Sequence, residues 1–264
     1  MDALTMMLEQ MQKHHGLRIS KSPEHSLAEL RAESYNKEIG TLKGYDCPVC
    51  LNKGMVAVIR EEDGEDVFRE CRCIEIRRTL KLARASGLEE VIRDKTFDAF
   101  KVLDKSHKDV LDKAKAYAAD PQGWFFICGQ SGAGKTHICT AIVGEIIKKG
   151  IPAKYMLWRS EAPVLKANAN NPEYPNMIRP YKDAKCLYID DLFKGGVTQG
   201  DLNLAFELIN DRSFARDGLT IISTERSISE ILEMDEATGG RIYEKTNIEN
   251  MIDVSAWENY RLRK

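Results

Sequence analysis

The segment GWFFICGQSGAGKTHICTAIVGEIIKKG, residues 123–150, constrains the fold of this chain more than any other. Trp124 to Cys128 is a continuous apolar run, the pattern of a strand covered by helices on both faces. Gly129-Gln130-Ser131-Gly132-Ala133-Gly134-Lys135-Thr136 then fits the phosphate-loop pattern G-x-x-x-x-G-K-[ST] in full. The glycines let the backbone curl, so that its N–H groups and the N-terminus of the next helix face the β- and γ-phosphates of a nucleotide. Lys135 is expected to reach those phosphates and the Thr136 hydroxyl to ligate Mg²⁺. His137 closes the nucleotide-contacting run, its own ring expected to pack. A chance glycine-rich turn would lack the buried strand before it and the helix after it.

Three more apolar runs read as strands: Ala153 to Trp158, Lys185 to Ile189, and Leu219 to Ser223. Helical stretches separate them, so the expected fold class is α/β, a parallel sheet flanked by helices. Ligands of such sheets gather at the carboxyl ends of the strands. Lys185-Cys186-Leu187-Tyr188-Ile189-Asp190-Asp191 ends there in two carboxylates. Asp190 is expected to hold Mg²⁺ through its water shell, and Asp191 to orient or deprotonate an attacking water. Leu219 to Thr224 ends in hydroxyls instead, and Thr224 is the expected sensor of the γ-phosphate.

Upstream, Cys47-x-x-Cys50 and Cys71-x-Cys73 bracket two short apolar runs, VAVI and DVF, joined by the turn-like EEDGE. Two thiolate pairs held by a hairpin suit a structural Zn²⁺ site. The compartment supports that reading, because neither a signal peptide nor a span of roughly 18 apolar residues is present and the cytoplasm is the default location. Thiols stay reduced there, so close pairs read as metal ligands before disulfides. Cys128, Cys139 and Cys186 fall in expected core elements and are expected to pack. The region from Met1 to about Gly40 carries Leu4, Met7, Leu8 and Met11 at helical spacing, either a loosely packed arm or a face for a partner protein. His14, His15 and His25 are expected to be surface residues of that arm, and His107 carries no signal. A helix with Ile76, Leu80 and Ala83 on one face is expected from Ile74 to Ser86, stopped by Gly87.

These readings divide the chain into an N-terminal zinc-bearing module (1–87), a helical connector (88–120) and a nucleotide-binding domain (121–264). With 43% hydrophobic and 30% charged residues, 264 residues suffice for both modules. A formal net charge of −2 means that any contact with nucleic acid must be local. The candidate stretch is Glu161 to Lys182, where Lys166, Arg179 and Lys182 mingle with Asn168, Asn170, Asn171, Tyr174 and Tyr181; the plainer reading of it is a polar insertion.

The CPVC and CRC pairs, SGLEEVIRDKTFDAF, the phosphate-loop segment, LYIDDLF, TIIST, GGRIYEK and the ending WENYR together resemble the DnaC/DnaI family of bacterial and phage helicase loaders. The resemblance runs from Cys47 to the C-terminus. It implies an AAA+ ATPase that binds ATP, Mg²⁺ and single-stranded DNA, an N-terminal zinc module that grips the hexameric replicative helicase, and self-association into a spiral hexamer that delivers the helicase to DNA. The family usually carries two arginines four residues apart after the sensor strand, one of them a finger for the neighbour's ATP; here the pair is Arg241 and Lys245. A lysine keeps the charge and loses the planar fork. Little chain follows Lys245 for a helical lid, which leaves Arg261 as the candidate for a lid-type arginine. The main alternative is a transposition helper ATPase acting on double-stranded DNA, a type not expected to carry a zinc module. A small-molecule kinase fits less well, because Asp191, Thr224 and GGRIYEK suit NTPases that activate water within assemblies. A third reading is a zinc-dependent adaptor whose nucleotide site is only a switch.

Overall fold

Residues 26–85, 92–215 and 218–262 are described by the computed structural model. The expected helix through Leu4, Met7, Leu8 and Met11, the histidines His14, His15 and His25, and the helix stop at Gly87 lie outside the described residues. The chain divides into two compact units, Met1–Lys81 and Leu82–Lys264.

In the first unit, helix α1 (Leu27–Lys37) starts at a capping box in which Ser26 and Glu29 each accept the other's backbone N–H. Strands β1 (Met55–Ile59) and β2 (Asp66–Glu70) form the expected antiparallel hairpin, with Ala57 opposite Phe68. The Asn36 side chain docks α1 on that hairpin by exchanging two hydrogen bonds with the Ala57 backbone, at 2.8 and 3.0 Å. Helix α2 (Cys73–Ala85) buries Ile76 and Leu80 against Tyr45 and the four cysteines. The core of this unit is therefore built around sulfur.

The second unit is a five-stranded parallel sheet: β3 (Trp124–Cys128), β4 (Ala153–Leu157), β5 (Cys186–Leu192), β6 (Leu219–Thr224) and β7 (Thr246–Asp253), in the spatial order β4-β5-β6-β3-β7. Its helices are α3 (Lys105–Ala119), α4 (Lys135–Lys148), α5 (Trp158–Ala167), α6 (Tyr174–Lys182), α7 (Gln199–Phe214), α8 (Ile228–Met234) and α9 (Glu236–Lys245). Every residue of β3 is buried, as its unbroken apolar run requires. Trp158 ends no strand; it is the first residue of α5. The segment expected as a polar connector contains α3, whose Val110, Leu111, Ala114 and Tyr117 are buried within this unit. Strand β7 escaped the sequence reading because TNIENMID has no apolar run: as an edge strand beside β3 it leaves Asn247, Ile248 and Glu249 exposed.

The order places β6 between the phosphate-loop strand and the carboxylate strand, so its C-terminal hydroxyls lie between the two. Arg212 of α7 secures the opposite end of these strands. Its guanidinium is fully buried and donates to the carbonyls of Tyr181, Lys182, Ala184 and Leu219 and to the Thr220 hydroxyl, at 2.5–3.1 Å. Burial pulls its pKa down to about 10, yet that still leaves it charged at neutral pH. Replacing Arg212 by Met strands several buried carbonyls, each costing roughly 1–3 kcal/mol. We expect Arg212→Met to lower the thermal midpoint of the full chain well beyond a surface substitution, and Arg212→Lys to recover only part of it, since one ammonium cannot span the same acceptors. An unchanged midpoint in calorimetry would remove this role.

Candidate functional site

The phosphate loop curls at three glycines in the left-handed region: Gly129 at φ 143°, Gly132 at 79° and Gly134 at 83°. Gly129 is also held by close backbone, and Gly132 by a side chain that would have to move. A Cβ on Gly129 would lie 2.7 Å from the Val254 backbone, and one on Gly132 would lie 1.8 Å from Asn259 Oδ1. Gly134 is the N-cap of α4 and leaves its first N–H groups without a side-chain partner from the cap, an arrangement that attracts anions. Lys135 is buried, and its Nζ donates to the carbonyls of Gly129 (2.7 Å) and Gln130 (2.8 Å). Burial lowers its pKa.

Asp190 is 3% exposed. Its Oδ1 accepts the hydroxyls of Thr136 at 3.1 Å and Tyr188 at 2.8 Å together with that of Ser223, and its Oδ2 accepts that of Tyr155 at 2.9 Å. The strand and the helix N-terminus thus bring Thr136 and Asp190 into direct contact. Asp191, next in the chain, turns away at φ 58°, and Phe193 follows at φ 59°. Left-handed conformations at non-glycine residues cost on the order of 1–3 kcal/mol each and cluster at functional sites. Asp191 has its pKa raised by burial and by neighbouring Asp190. Its backbone N–H donates to Ser223 Oγ at 3.1 Å.

The strand-end hydroxyl beside the aspartates is therefore Ser223. Thr224 faces elsewhere, its Oγ1 donating to the Leu192 carbonyl at 2.7 Å and accepting from Arg226 N at 3.0 Å. A one-residue step along a strand reverses the side-chain direction, and that offset separates the expected sensor from the observed neighbour.

The cleft over the loop has a volume of about 360 Å³. Its floor is the phosphate loop, and its rim carries Asp191, Lys194, Phe100, His107, Tyr260 and Arg261. His107 stacks on Trp257 with ring centroids 3.9 Å apart, and Trp257 Nε1 donates to Ser106 Oγ at 2.8 Å. The chain after β7 is fastened to the loop: Val254 N donates to the Cys128 carbonyl at 2.8 Å, Tyr260 N to that of Gly132 at 3.0 Å, and Gln130 Nε2 to that of Trp257. His137 packs as expected, its Nε2 donating to the Thr96 carbonyl at 2.7 Å under the edge of Phe100.

Arg241 and Lys245 line a different hollow of this unit, along α9 and the end of α7. Arg241 lies over the Phe206 ring at 5.1 Å and donates to Ala237 O at 2.9 Å. The candidate DNA stretch forms α5 and α6, and most of its polar groups are engaged internally. Lys166 pairs with Asp201 at 2.5 Å; Lys182 pairs with Glu207 and Asp211; Tyr174 and Tyr181 donate to Glu207 and Glu161. The polar-insertion reading fits these side chains.

In the first unit the Sγ atoms of Cys47, Cys50, Cys71 and Cys73 lie within 4.8 Å of one another. Cys47 and Cys71 are 3.8 Å apart, and Cys50 and Cys73 3.4 Å, far outside bonding distance for a disulfide. Tetrahedral zinc with Zn–S of about 2.3 Å requires thiolates about 3.8 Å apart, so the donor set fits. The knuckle is shaped by Leu51 and Asn52 at φ 47° and 67°, and Gly54 N donates to Cys50 Sγ at 3.2 Å. Arg77 braces it from α2, donating to the Lys43 and Tyr45 carbonyls and to Asn52 Oδ1 at 2.6–2.8 Å. Burial pushes the Cys71 thiol up to about 11 and raises Cys73 as well, whereas at Cys50 burial is outweighed by the hydrogen bonds from Gly54 N and the neighbouring cysteines, which bring it down to about 7. Cys128, Cys139 and Cys186 are buried in the second unit and pack there.

Sequence reasoning missed Tyr155, Tyr188, Ser223, Lys194 and Glu225. A signal existed for Tyr188, two residues before Asp190 and so on the same strand face. Tyr155 comes alongside only through the β4–β5 register, which pairs it with Tyr188.

A strand, phosphate loop and helix, a second strand ending in paired aspartates, and between them a strand whose hydroxyl meets the first aspartate define a P-loop nucleotide-binding protein of the AAA+ class, an ATPase. The model of the family described as IstB-like ATP binding protein matches residues 58–236, and the chain belongs to that family. It is 31% identical over 252 residues to the uncharacterized protein YqaM of Bacillus subtilis (strain 168), covering 76% of this chain and 80% of that one. It is 28% identical over 222 residues to the phage-like element PBSX protein XkdC of the same organism, covering 76% and 79%. With the replicative helicase loader DnaC of Escherichia coli (strain K12) it shares 22% identity over 205 residues, 74% of this chain and 79% of that one. Solved structures of the DnaC helicase loader and of DnaI share its fold, with TM-scores of 0.54 and 0.51, identities of 19% and 15%, and coverage of 61% and 64% of this chain and 97% and 92% of theirs. No helix among the described residues is long and apolar enough to cross a membrane.

The four-thiol geometry leads to an expected stoichiometry of one zinc per chain in protein purified without chelator, measured by elemental analysis. Cys47→Ser and Cys73→Ser should each abolish it. Protein free of zinc, or variants that retain it, would remove the site.

Proposed function

We propose that this protein is an ATP-dependent loader of the replicative DNA helicase, which binds ATP with Mg²⁺ and single-stranded DNA, assembles with copies of itself, and delivers the hexameric helicase to DNA. The observation that carries the reading is the presence in one chain of both a four-cysteine module and an AAA+ nucleotide site, with relatives named as replicative helicase loaders. Lys135 stabilises the β- and γ-phosphates. Thr136 and Asp190, already in contact, hold Mg²⁺, and Asp191 activates water. Ser223 takes the sensor contact that the sequence suggested for Thr224. Arg241, with Lys245 beside it, serves a neighbouring subunit's ATP. Zinc on Cys47, Cys50, Cys71 and Cys73 shapes the module that meets the helicase. The DNA strand is gripped by groups other than Lys166 and Lys182, whose charges are spent on carboxylates. The family match, to IstB-like proteins, keeps a second reading open, a transposition helper acting on double-stranded DNA, since both kinds of protein share the nucleotide core.

Pull-down with a bacterial hexameric replicative helicase separates the two. We expect retention of the helicase that Cys47→Ser weakens more than it weakens ATP binding. No retention, together with ATP-dependent assembly on double-stranded DNA, would favour the transposition helper.

Asp191→Asn should bind ATP normally and turn it over at least about 100-fold more slowly, since general-base contributions are on the order of 10²–10⁴. Arg241→Ala should hydrolyse poorly and depress wild-type turnover when mixed with it. A mixture that behaves as a simple average would end the trans-acting role.

A further inference from the structure

Lys194 belongs to none of the phosphate-site motifs, yet it lines the cleft together with Ser131, Lys135 and Asp191. It gets there by a turn. Asp191 and Phe193 adopt left-handed conformations, and Lys194 N donates to the Asp191 carbonyl at 3.0 Å, folding the chain back beside the end of β5. The Lys194 ammonium lies 3.9 Å from Asp191 Oδ1 and pairs with Glu225, the residue that follows β6. Glu225 in turn meets the side chain of Ser131 in the phosphate loop. A cation is therefore held at the mouth of the phosphate loop by two carboxylates, one of them the residue placed to activate water.

We propose that Lys194 is a ligand of the terminal phosphate: on binding of a nucleoside triphosphate its ammonium leaves Glu225 and Asp191 for the γ-phosphate, and it thereby makes the site discriminate triphosphate from diphosphate. The inference rests on the ATP-binding reading and adds to it a residue and a specificity. Two observations favour it over a plain surface ion pair. Exposed pairs contribute little to stability, whereas this one requires two strained residues to form. The Lys194 side chain is also only 23% exposed and faces the cleft rather than open solvent. Transfer of the ammonium also relieves Asp191 of its cation at the moment when a water must be polarised. Glu225 is the restraint. Burial raises its pKa, but the hydrogen bond and charge of Lys194 outweigh that and leave it lowered, so it is anionic and competes with phosphate for the same ammonium.

The test measures dissociation constants of a non-hydrolysable ATP analogue with Mg²⁺, and of ADP, on the full chain and on Lys194→Ala and Glu225→Gln. Charge-assisted contacts of this kind correspond to about a 10- to 100-fold loss of affinity when removed. Lys194→Ala should lose that much for the triphosphate and stay within about twofold for ADP. Glu225→Gln, which frees the ammonium, should tighten the triphosphate severalfold and leave ADP unchanged. Equal loss for both nucleotides, or loss for neither, in Lys194→Ala overturns the proposal. An unchanged triphosphate constant in Glu225→Gln overturns the restraint. Wild-type protein that binds neither nucleotide overturns the ATP reading itself, an outcome distinct from both.

Discussion

Asp190 accepts hydroxyl groups from Thr136 of α4, Tyr155 of β4, Tyr188 of β5 and Ser223 of β6, and is almost wholly withdrawn from water. A buried carboxylate is tolerable only when its oxygens are satisfied, and here four separate elements supply the donors. The same contacts fix the distance between the phosphate loop and the carboxylate strand, which neighbour each other only through β6. Fold and site consequently share one set of bonds: moving β4 or β6 at its carboxyl end changes how Asp190 presents itself. Burial raises the pKa of Tyr155, so its hydroxyl keeps its proton and remains a donor throughout the physiological range. The cage can orient Asp190 without competing for its charge.

The two compact units are held by different forces. The second has a large apolar interior, with Phe125, Phe126, Ile127, Ile189 and Ile222 fully buried, and its stability follows from the area it removes from water. Among its described residues the first buries few large side chains. Its interior is four sulfurs with Tyr45, Ile76 and Leu80, and small domains of that kind depend on an added staple. Arg77 completes the arrangement by tying α2 to the carbonyls of Lys43 and Tyr45. The cysteine cluster is therefore as much the core of the first unit as β3 is of the second.

Features set by local spacing were legible in the sequence. The phosphate loop, the Asp190–Asp191 pair and the four cysteines each lie within a short stretch whose chemistry demands that spacing. What depends on strand register was not. Tyr155 and Ser223 reach Asp190 from strands more than thirty residues away, and nothing in the apolar texture of AKYML distinguishes a tyrosine that meets a carboxylate from one that merely packs. Thr224, the sensor expected from the sequence, stands one residue from Ser223, the hydroxyl that reaches the aspartates, a difference of strand phase that the sequence does not show. Strand β7 was invisible because an edge strand needs no apolar run, and the basic and aromatic stretch from Glu161 to Lys182 left two readings open because the partners of Lys166 and Lys182, which are Asp201, Glu207 and Asp211, are supplied by a later helix.

Charge at the phosphate end of the cleft gives a further constraint. Asp190, Asp191 and Glu225 stand there against Lys135 and Lys194, and both ammoniums are already engaged, Lys135 by loop carbonyls and Lys194 by carboxylates. Polyphosphate entering such a site meets an excess of negative charge unless a cation accompanies it or one of the resident cations changes partner. On the proposed reading a divalent ion on Thr136 and Asp190 would answer the first need, and the transfer of Lys194 the second. Arg261, on the rim of the same cleft, is a further cation of this chain available where charge accumulates as the bond to the γ-phosphate breaks. Arg241 and Lys245 line a hollow separate from the cleft, so they add nothing to their own subunit's phosphates. On the proposed reading those two cations serve another copy's phosphates, and turnover then reports assembly.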